Sequence, residues 1–114
     1  MITFAVSGTP RPKQSFRYTA NGGGYTPHAV KEWQTEVSIM ARGAMGGRQA
    51  LTGDLLVAID FYLPDRRRRD LDNLSKAVLD GMNRIVFEDD QQIVQLRLAK
   101  TISKEPGIVV SVLE

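Results

Sequence analysis

The chain has 114 residues, 42% of them hydrophobic and 25% charged, which are ordinary values for a folded globular domain and exclude wholesale disorder. A chain of this length buries roughly two-thirds of its unfolded surface, which makes one small core. There is no cysteine and only one histidine, His28, which excludes disulfides, thiolate zinc sites, a cysteine nucleophile and a histidine metal cluster. The formal net charge is only +2, so any affinity for a polyanion must come from how the fifteen Lys and Arg are placed.

The first segment, Ile2 to Ser7, alternates Ile2, Phe4 and Val6 with Thr3, Ala5 and Ser7, the period of a half-buried strand. Gly8-Thr9-Pro10 ends it. From there to Pro27 the sequence is rich in Gly, Pro and basic residues, including Arg11, Lys13 and Arg17 and the tip Asn21-Gly22-Gly23-Gly24, which predicts a basic loop or irregular hairpin. From His28 to about Met45, Val30, Trp33, Val37, Met40, Ala41 and Ala44 recur at three- and four-residue spacing, and Gly46-Gly47 follows; this is an amphipathic helix with its stop signal. Leu55, Val57, Ile59, Phe61 and Leu63 alternate through a long strand that Pro64 closes.

Next comes the stretch that carries the chemistry, Arg66-Arg67-Arg68-Arg69-Asp70-Leu71-Asp72-Asn73-Leu74-Ser75-Lys76. Over residues 71 to 85, Leu71, Leu74, Val78, Leu79, Met82 and Ile85 fall within a ~140° arc of a helical wheel, with Asn73, Lys76, Asp80 and Arg84 opposite. Beyond the acidic turn Glu88-Asp89-Asp90, Val94, Leu96 and Leu98 alternate with Gln95, Arg97 and Ala99. Lys104-Glu105-Pro106-Gly107 then joins this strand to Ile108, Val110 and Val112 as a hairpin. The order is βαβαββ. Two helices and four strands predict an α+β fold, a two-layer domain with a four-stranded sheet and both helices on one face, spanning residues 1–114 as a single domain. No apolar run reaches the ~20 residues of a membrane span, and the first residues lack a basic n-region and a signal h-region. We expect a cytoplasmic protein with no membrane association.

Arginines running into an Asp-x-Asp pair set phosphate-seeking cations beside metal-seeking carboxylates. Hydrolysis of a phosphodiester needs a hard cation to polarise the phosphoryl group and acidify a water, and Mg²⁺ is held by two or three carboxylates. If Asp70 and Asp72 lie on extended chain, their side chains point the same way and reach one ion; Asp90 sits where the next strand begins. For all three to meet, the Pro64–Asp72 loop and the Phe87–Asp90 turn must fold toward each other. Lys76, one turn after Asp72, is placed to steady a phosphate. A plainer reading stands beside this one: an Asp ahead of a helix is usually an N-cap, the acidic turn is solvated, and the basic loops belong to a non-catalytic nucleic-acid-binding module.

The contiguous string from Pro64 to Asp80, with Asp89-Asp90-Gln91-Gln92-Ile93-Val94 downstream, resembles the RusA family of Holliday junction resolvases. Gly8-Thr9-Pro10-Arg11-Pro12-Lys13 and Tyr25-Thr26-Pro27 are similar to the Gly-x-Pro-x-x-Lys and Tyr-Thr-Pro elements of phage members, although Lys13-Gln14-Ser15-Phe16-Arg17 stands where many of those read Lys-Gly-Arg-Pro-Arg. The resemblance implies a bacterial or phage-encoded homodimer that cuts paired strands of a four-way DNA junction with Mg²⁺, or Mn²⁺ in its place. It also implies that Asp70, Asp72 and Asp90 are the metal-binding catalytic carboxylates and Lys76 the catalytic helix lysine.

Resolving a junction takes two symmetric cuts and this chain offers one carboxylate set, which independently predicts a two-fold assembly through the Trp33 helix or an edge strand. Arg11, Lys13, Arg17, Arg66, Arg67, Arg68, Arg69 and Lys76, joined by outward Arg97 and Lys100, are the expected phosphate contacts. Phe16, Tyr18 and Tyr25 are candidate wedges at the crossover.

Overall fold

The computed structural model describes residues 1–13, 17–18, 24–25 and 27–114. The elements are β1 (Ile2–Ser7), β2 (Arg17–Tyr18), β3 (Gly24–Tyr25), α1 (His28–Met45), β4 (Leu55–Leu63), α2 (Leu71–Met82), β5 (Ile93–Ile102) and β6 (Gly107–Leu113). Apart from the short antiparallel β2–β3 ladder, which registers Arg17 against Tyr25, the order is the expected βαβαββ. Residues 14–16, 19–23 and 26, which include Phe16 and the tip as far as Gly23, lie outside the described residues.

The main sheet runs β1-β6-β4-β5, so the expected hairpin of the last two strands does not form: β4 lies between β5 and β6, and the turn at residues 104–107 carries the chain across it. β6 is antiparallel to both β1 and β4, whereas β4 and β5 are parallel and joined by α2 as a crossover. Alternation along β1, β4 and β6 sends Ile2, Phe4, Val6, Leu55, Val57, Ile59, Phe61, Leu63, Ile108, Val110 and Val112 to one face. There they meet Val30, Trp33, Val37, Ala41 and Met45 of α1 and Leu74, Ala77, Val78 and Met82 of α2, forming one apolar core. The structure is the predicted two-layer α+β arrangement. Met40 departs from the expected stripe of α1 and is exposed; Met45 and the left-handed cap at Gly46, whose N–H donates to the Arg42 carbonyl, finish the helix instead.

The two helices cross at Gly81. A Cβ there would lie 2.9 Å from the Gln34 carbonyl oxygen and 3.0 Å from Val37 Cβ, and Ser38 Oγ donates to the Gly81 carbonyl at 2.6 Å. A glycine inside a helix costs about 1 kcal/mol against alanine; here it permits the approach of α1. The packing fixes α2, whose ends carry the candidate site.

α2 stops at Met82 rather than at Ile85. Arg84 takes φ +66°, its N–H donates to the Phe87 carbonyl at 2.7 Å, and the reversal delivers Val86 and Phe87 to the core. The Leu51 N–H then donates to the Val86 carbonyl at 2.8 Å.

β5 is an edge strand, and the helix layer barely covers it. Leu96, Leu98, Lys100 and Ile102 register with the inward residues Val57, Ile59, Phe61 and Leu63, yet Leu96 and Ile102 are exposed. Val94, the extra residue of a bulge opposite Leu55 and Leu56, is 61% exposed. The alternation of Val94, Leu96 and Leu98 was a fair signal for a strand, but in a single chain it does not buy burial.

Candidate metal and nucleic-acid site

Pro64 ends β4 and the chain turns through the arginine run before α2 begins. The turn is held from within. Asp65 Oδ1 accepts from the Arg67 N–H at 3.0 Å and from Arg69 Nη1 at 2.8 Å, and Arg69 also reaches the Asp65 and Arg67 carbonyls. These contacts hold the Asp65 carboxyl below the usual carboxylate range, the Arg69 hydrogen bond most and the Arg67 N–H next. Lys100 Nζ donates to the Arg69 carbonyl at 2.8 Å and ties the loop to the end of β5.

The four arginines are therefore not equivalent. The Arg69 side chain is 12% exposed and holds the loop, whereas Arg68 is 91% exposed and Arg66 and Arg67 also face solvent. Of the four, Arg69 is the one whose guanidinium is bound to Asp65 and largely covered, so it has a structural part in the loop. A groove of about 560 Å³ runs between Asp65, Arg66 and Arg67 on one side and Lys100, Thr101 and Ile102 on the other. Lys100 is not outward as expected; it shares the helix-side face with Phe61.

Asp70 occupies the N-cap position of α2 with extended backbone, but its side chain makes no cap hydrogen bond. Its carboxylate stands 3.6 Å from Arg68 Nε. Asp72 lies within the first turn of α2, so the condition that both carboxylates lie on extended chain is not met; Asp70 precedes the helix and Asp72 is on it. The Asp72 carbonyl accepts from Ser75 Oγ at 2.8 Å, and its side chain is exposed, as is Lys76 one turn on. A capping role thus leaves the Asp70 carboxylate unexplained.

Capping does explain Asp89. Its side chain accepts from the Gln91 N–H at 3.0 Å, while Gln92 Oε1 accepts from the Glu88 and Asp89 N–H groups at 3.0 and 3.1 Å, a capping box around the 3₁₀ turn Asp90–Gln92. Gln92 Nε2 donates to the Leu51 and Gly53 carbonyls at 2.9 and 3.0 Å, which anchors the acidic turn to the segment ahead of β4. The Asp-x-x-Gln spacing was the signal for this. Asp90 is left over, and partial desolvation, a hydrogen bond to Asp89 and the charges of Asp89 and Asp80 push its carboxyl pKa up.

Asp70 and Asp72 sit at the N-terminal end of α2, whereas Asp90 follows its C-terminal end. Eight residues of helix put roughly 12 Å between Asp72 and Asp80, and it is Asp80 that Asp90 senses. Among the described residues no group of three or more carboxylates or imidazoles could hold a metal ion. The expected convergence of the two turns does not occur within one chain.

Lys13 is also committed. Its N–H donates to the Asn73 carbonyl at 2.9 Å and its ammonium pairs with Asp80, laying the segment after β1 along the exposed face of α2. That pairing gives Asp80 a partner. Arg11 lines a small cleft with Glu32, Trp33 and Glu36, away from the arginine run in sequence and on a different element. Arg17 lies in β2. No helix among the described residues is long and apolar enough to cross a membrane.

Comparison with known proteins agrees with the chemistry of this loop. The family model described as "Endodeoxyribonuclease RusA" matches residues 7–113. A crossover junction endodeoxyribonuclease RusA of Escherichia coli (strain K12) is 35% identical over 103 residues, covering 88% of this chain and 84% of the relative. The protein of that name from Enterobacteria phage 82 is 37% identical with the same coverage. One from Aquifex aeolicus (strain VF5) is 30% identical over 115 residues, covering 97% of this chain and 90% of the relative.

Proposed function

Because the chain belongs to the RusA family of endodeoxyribonucleases, we propose that it resolves four-way DNA junctions as a Mg²⁺-dependent homodimer making paired symmetric cuts, each active site drawing carboxylates from both subunits. The observation that carries this reading is a separation. Asp70 and Asp72 stand at the C-terminal end of β5, beside the Lys100–Arg69 contact, and Asp90 stands at its N-terminal end.

β5 is an open edge with apolar Val94, Leu96 and Ile102 left exposed, a feature that a lone domain normally avoids. Antiparallel pairing of β5 with the same strand of a second copy, about a two-fold axis, would cover these side chains and satisfy the unpaired ladder groups. It would bring Asp90 of each copy to the Asp70–Asp72 end of the other. The edge strand is therefore favoured over the Trp33 helix, whose Trp is buried in the core of its own chain.

The donor set fits a hard divalent ion. Asp70 does not cap, the Asp72 side chain has no hydrogen bond or ion pair among the described residues, and Asp90 sits among acids that raise the cost of its charge. A divalent ion held by these three would polarise the scissile phosphoryl group and lower the pKa of an attacking water. Lys76, exposed one turn after Asp72, holds an ammonium where negative charge develops on the phosphoryl oxygens. Arg66, Arg67 and Arg68 face solvent beside Asp70 and bind the flanking phosphates, which positions the strand without reading its sequence. Bacterial or phage relatives carry the same name, and a cytoplasmic setting with a DNA substrate follows from that reading.

The test is cleavage of an end-labelled synthetic four-way junction beside a linear duplex of matched sequence, in Mg²⁺, in Mn²⁺ and in EDTA. Paired nicks on the junction alone, lost in EDTA, are expected. Tight junction binding with no cleavage in either metal would replace this reading with that of a binding module.

A further inference from the structure

A second set of arginines converges at the other end of α2, away from the arginine run. Arg42 from the last turn of α1, Arg48 from the turn that follows it and Arg84 from the reversal after α2 line a cleft of about 490 Å³, floored by Met45 and Ile85. Arg48 Nη2 is bound to Glu114 Oε1 at 2.9 Å. Among the described residues, neither Arg42 nor Arg84 has a carboxylate within ion-pair distance.

Arg42 faces the negative end of α1, and a cation there needs no ligand to account for it. Arg84 is different. It is the one non-glycine with positive φ among the described residues, in a tight turn where glycine or asparagine would sit with less strain. The backbone of that turn is dictated by the burial of Val86 and Phe87, but nothing in it calls for a guanidinium. A long cation at a strained position, lining a cleft with two other arginines, points to an anion. The remaining lining charge is Glu88, two residues before Asp90, so the cleft opens next to the carboxylate that completes the proposed metal site.

We propose that this cleft is a second phosphate-binding site, in which Arg42 and Arg84 hold the DNA backbone of a junction arm as it leaves the active site. This rests on the junction-nuclease reading for its ligand and on the cleft geometry for its place. The ligand is taken as the phosphodiester backbone because guanidinium groups match phosphate oxygens in bidentate pairs and most protein–DNA hydrogen bonds go to phosphate and sugar.

The experiment measures binding to a fluorescent four-way junction over a range of salt, with all proteins in an Asp72→Asn background to keep the DNA whole. One probe has long arms and one has arms trimmed to a few base pairs. The variant is Arg42→Gln with Arg84→Asn, asparagine being chosen because it tolerates the left-handed backbone. On long arms the slope of log affinity against log salt is expected to fall by about 0.9 to 1.8, one to two phosphates lost. On trimmed arms the same variant is expected to match its parent. Arg42→Lys with Arg84→Lys retains most of the slope. An unchanged slope on long arms overturns the proposal, as does a lysine pair that loses as much as the neutral pair, which would mean that the arginines serve the fold. If the parent fails to prefer junction over duplex while the neutral pair still loses slope, the cleft stands and the junction reading falls.

Discussion

Mixing two inactive variants provides a sharp test of where the carboxylates come from. Mg²⁺ binds oxygen at about 2.1 Å, so ligands of one ion have their oxygens within roughly 4 Å of each other. α2 alone puts roughly 12 Å between Asp72 and the end of the helix that Asp90 senses. Among the described residues no three such ligands gather within one chain, so a single-chain site would need the arginine loop or the acidic turn to move along α2. In the two-fold arrangement, Asp72→Asn and Asp90→Asn each destroy both sites of a homodimer. In the mixed dimer both lesions fall in one site, and the other is wild type. After exchange at equal concentrations about half of the dimers are mixed, each with one intact site, so about a quarter of the wild-type sites return. The assay is nicking of the labelled junction before and after the two proteins are mixed under conditions that let subunits exchange. Recovery near that level, as single nicks rather than paired cuts, is expected. No recovery, with mixed dimers verified by tagging, would refute the shared site and require a conformational change within each chain.

Three further outcomes follow from the loop and the helix crossing. Replacing Arg66, Arg67 and Arg68 together by Gln is expected to lower the salt slope of junction binding by roughly 2.7 with little change in melting temperature; Arg69→Gln is expected to do the reverse, lowering the melting temperature because Asp65 loses its partner. Asp65 has a depressed carboxyl pKa in the folded chain, so its contribution is fully present above its unfolded pKa of about 4 and is lost as pH falls through the lower folded value. Asp65→Asn is thus expected to melt below wild type at neutral pH, with the gap closing in acid; a gap that persists unchanged at pH 2 would contradict the assignment. Gly81→Ala forces a methyl against the Gln34 carbonyl and Val37, and a loss of about 1 to 3 kcal/mol in denaturant unfolding is expected in spite of alanine's better helix propensity. A gain in stability would show that α1 moves aside freely.

The parts of the fold that period alone determines were legible. α1 ended where Gly46-Gly47 said it would, and β4 ran from Leu55 to Leu63, because a buried face of fixed period and a breaker leave little choice. The end of α2 was less so. Ile85 continues the wheel by spacing, but the chain has already reversed at Arg84 to bury Val86 and Phe87, a gain that only the neighbouring Leu51 segment makes possible. Sheet order was beyond a one-dimensional reading for the same reason: an alternating strand looks alike whether its apolar face is covered by a helix, as in β4, or left open, as in β5.

The candidate site divides along the same line. Residue types chosen for chemistry were visible as a string, but the partners that commit some of them to structure were not adjacent in sequence. Lys13 finds Asp80 across sixty-seven positions, and Lys100 finds the Arg69 carbonyl across thirty-one. Such contacts give some of the cations a part in the fold, while the most exposed members of the loop and helix, Arg66, Arg67, Arg68 and Lys76, are left facing solvent, as Arg84 is near the other end of α2. The same subtraction applied to the aspartates between residues 65 and 90 sets aside Asp65, Asp80 and Asp89 and leaves Asp70, Asp72 and Asp90. That the residue of this subtraction is split between the two ends of an uncovered edge strand is the physical reason to look for the complete site between two chains rather than within one.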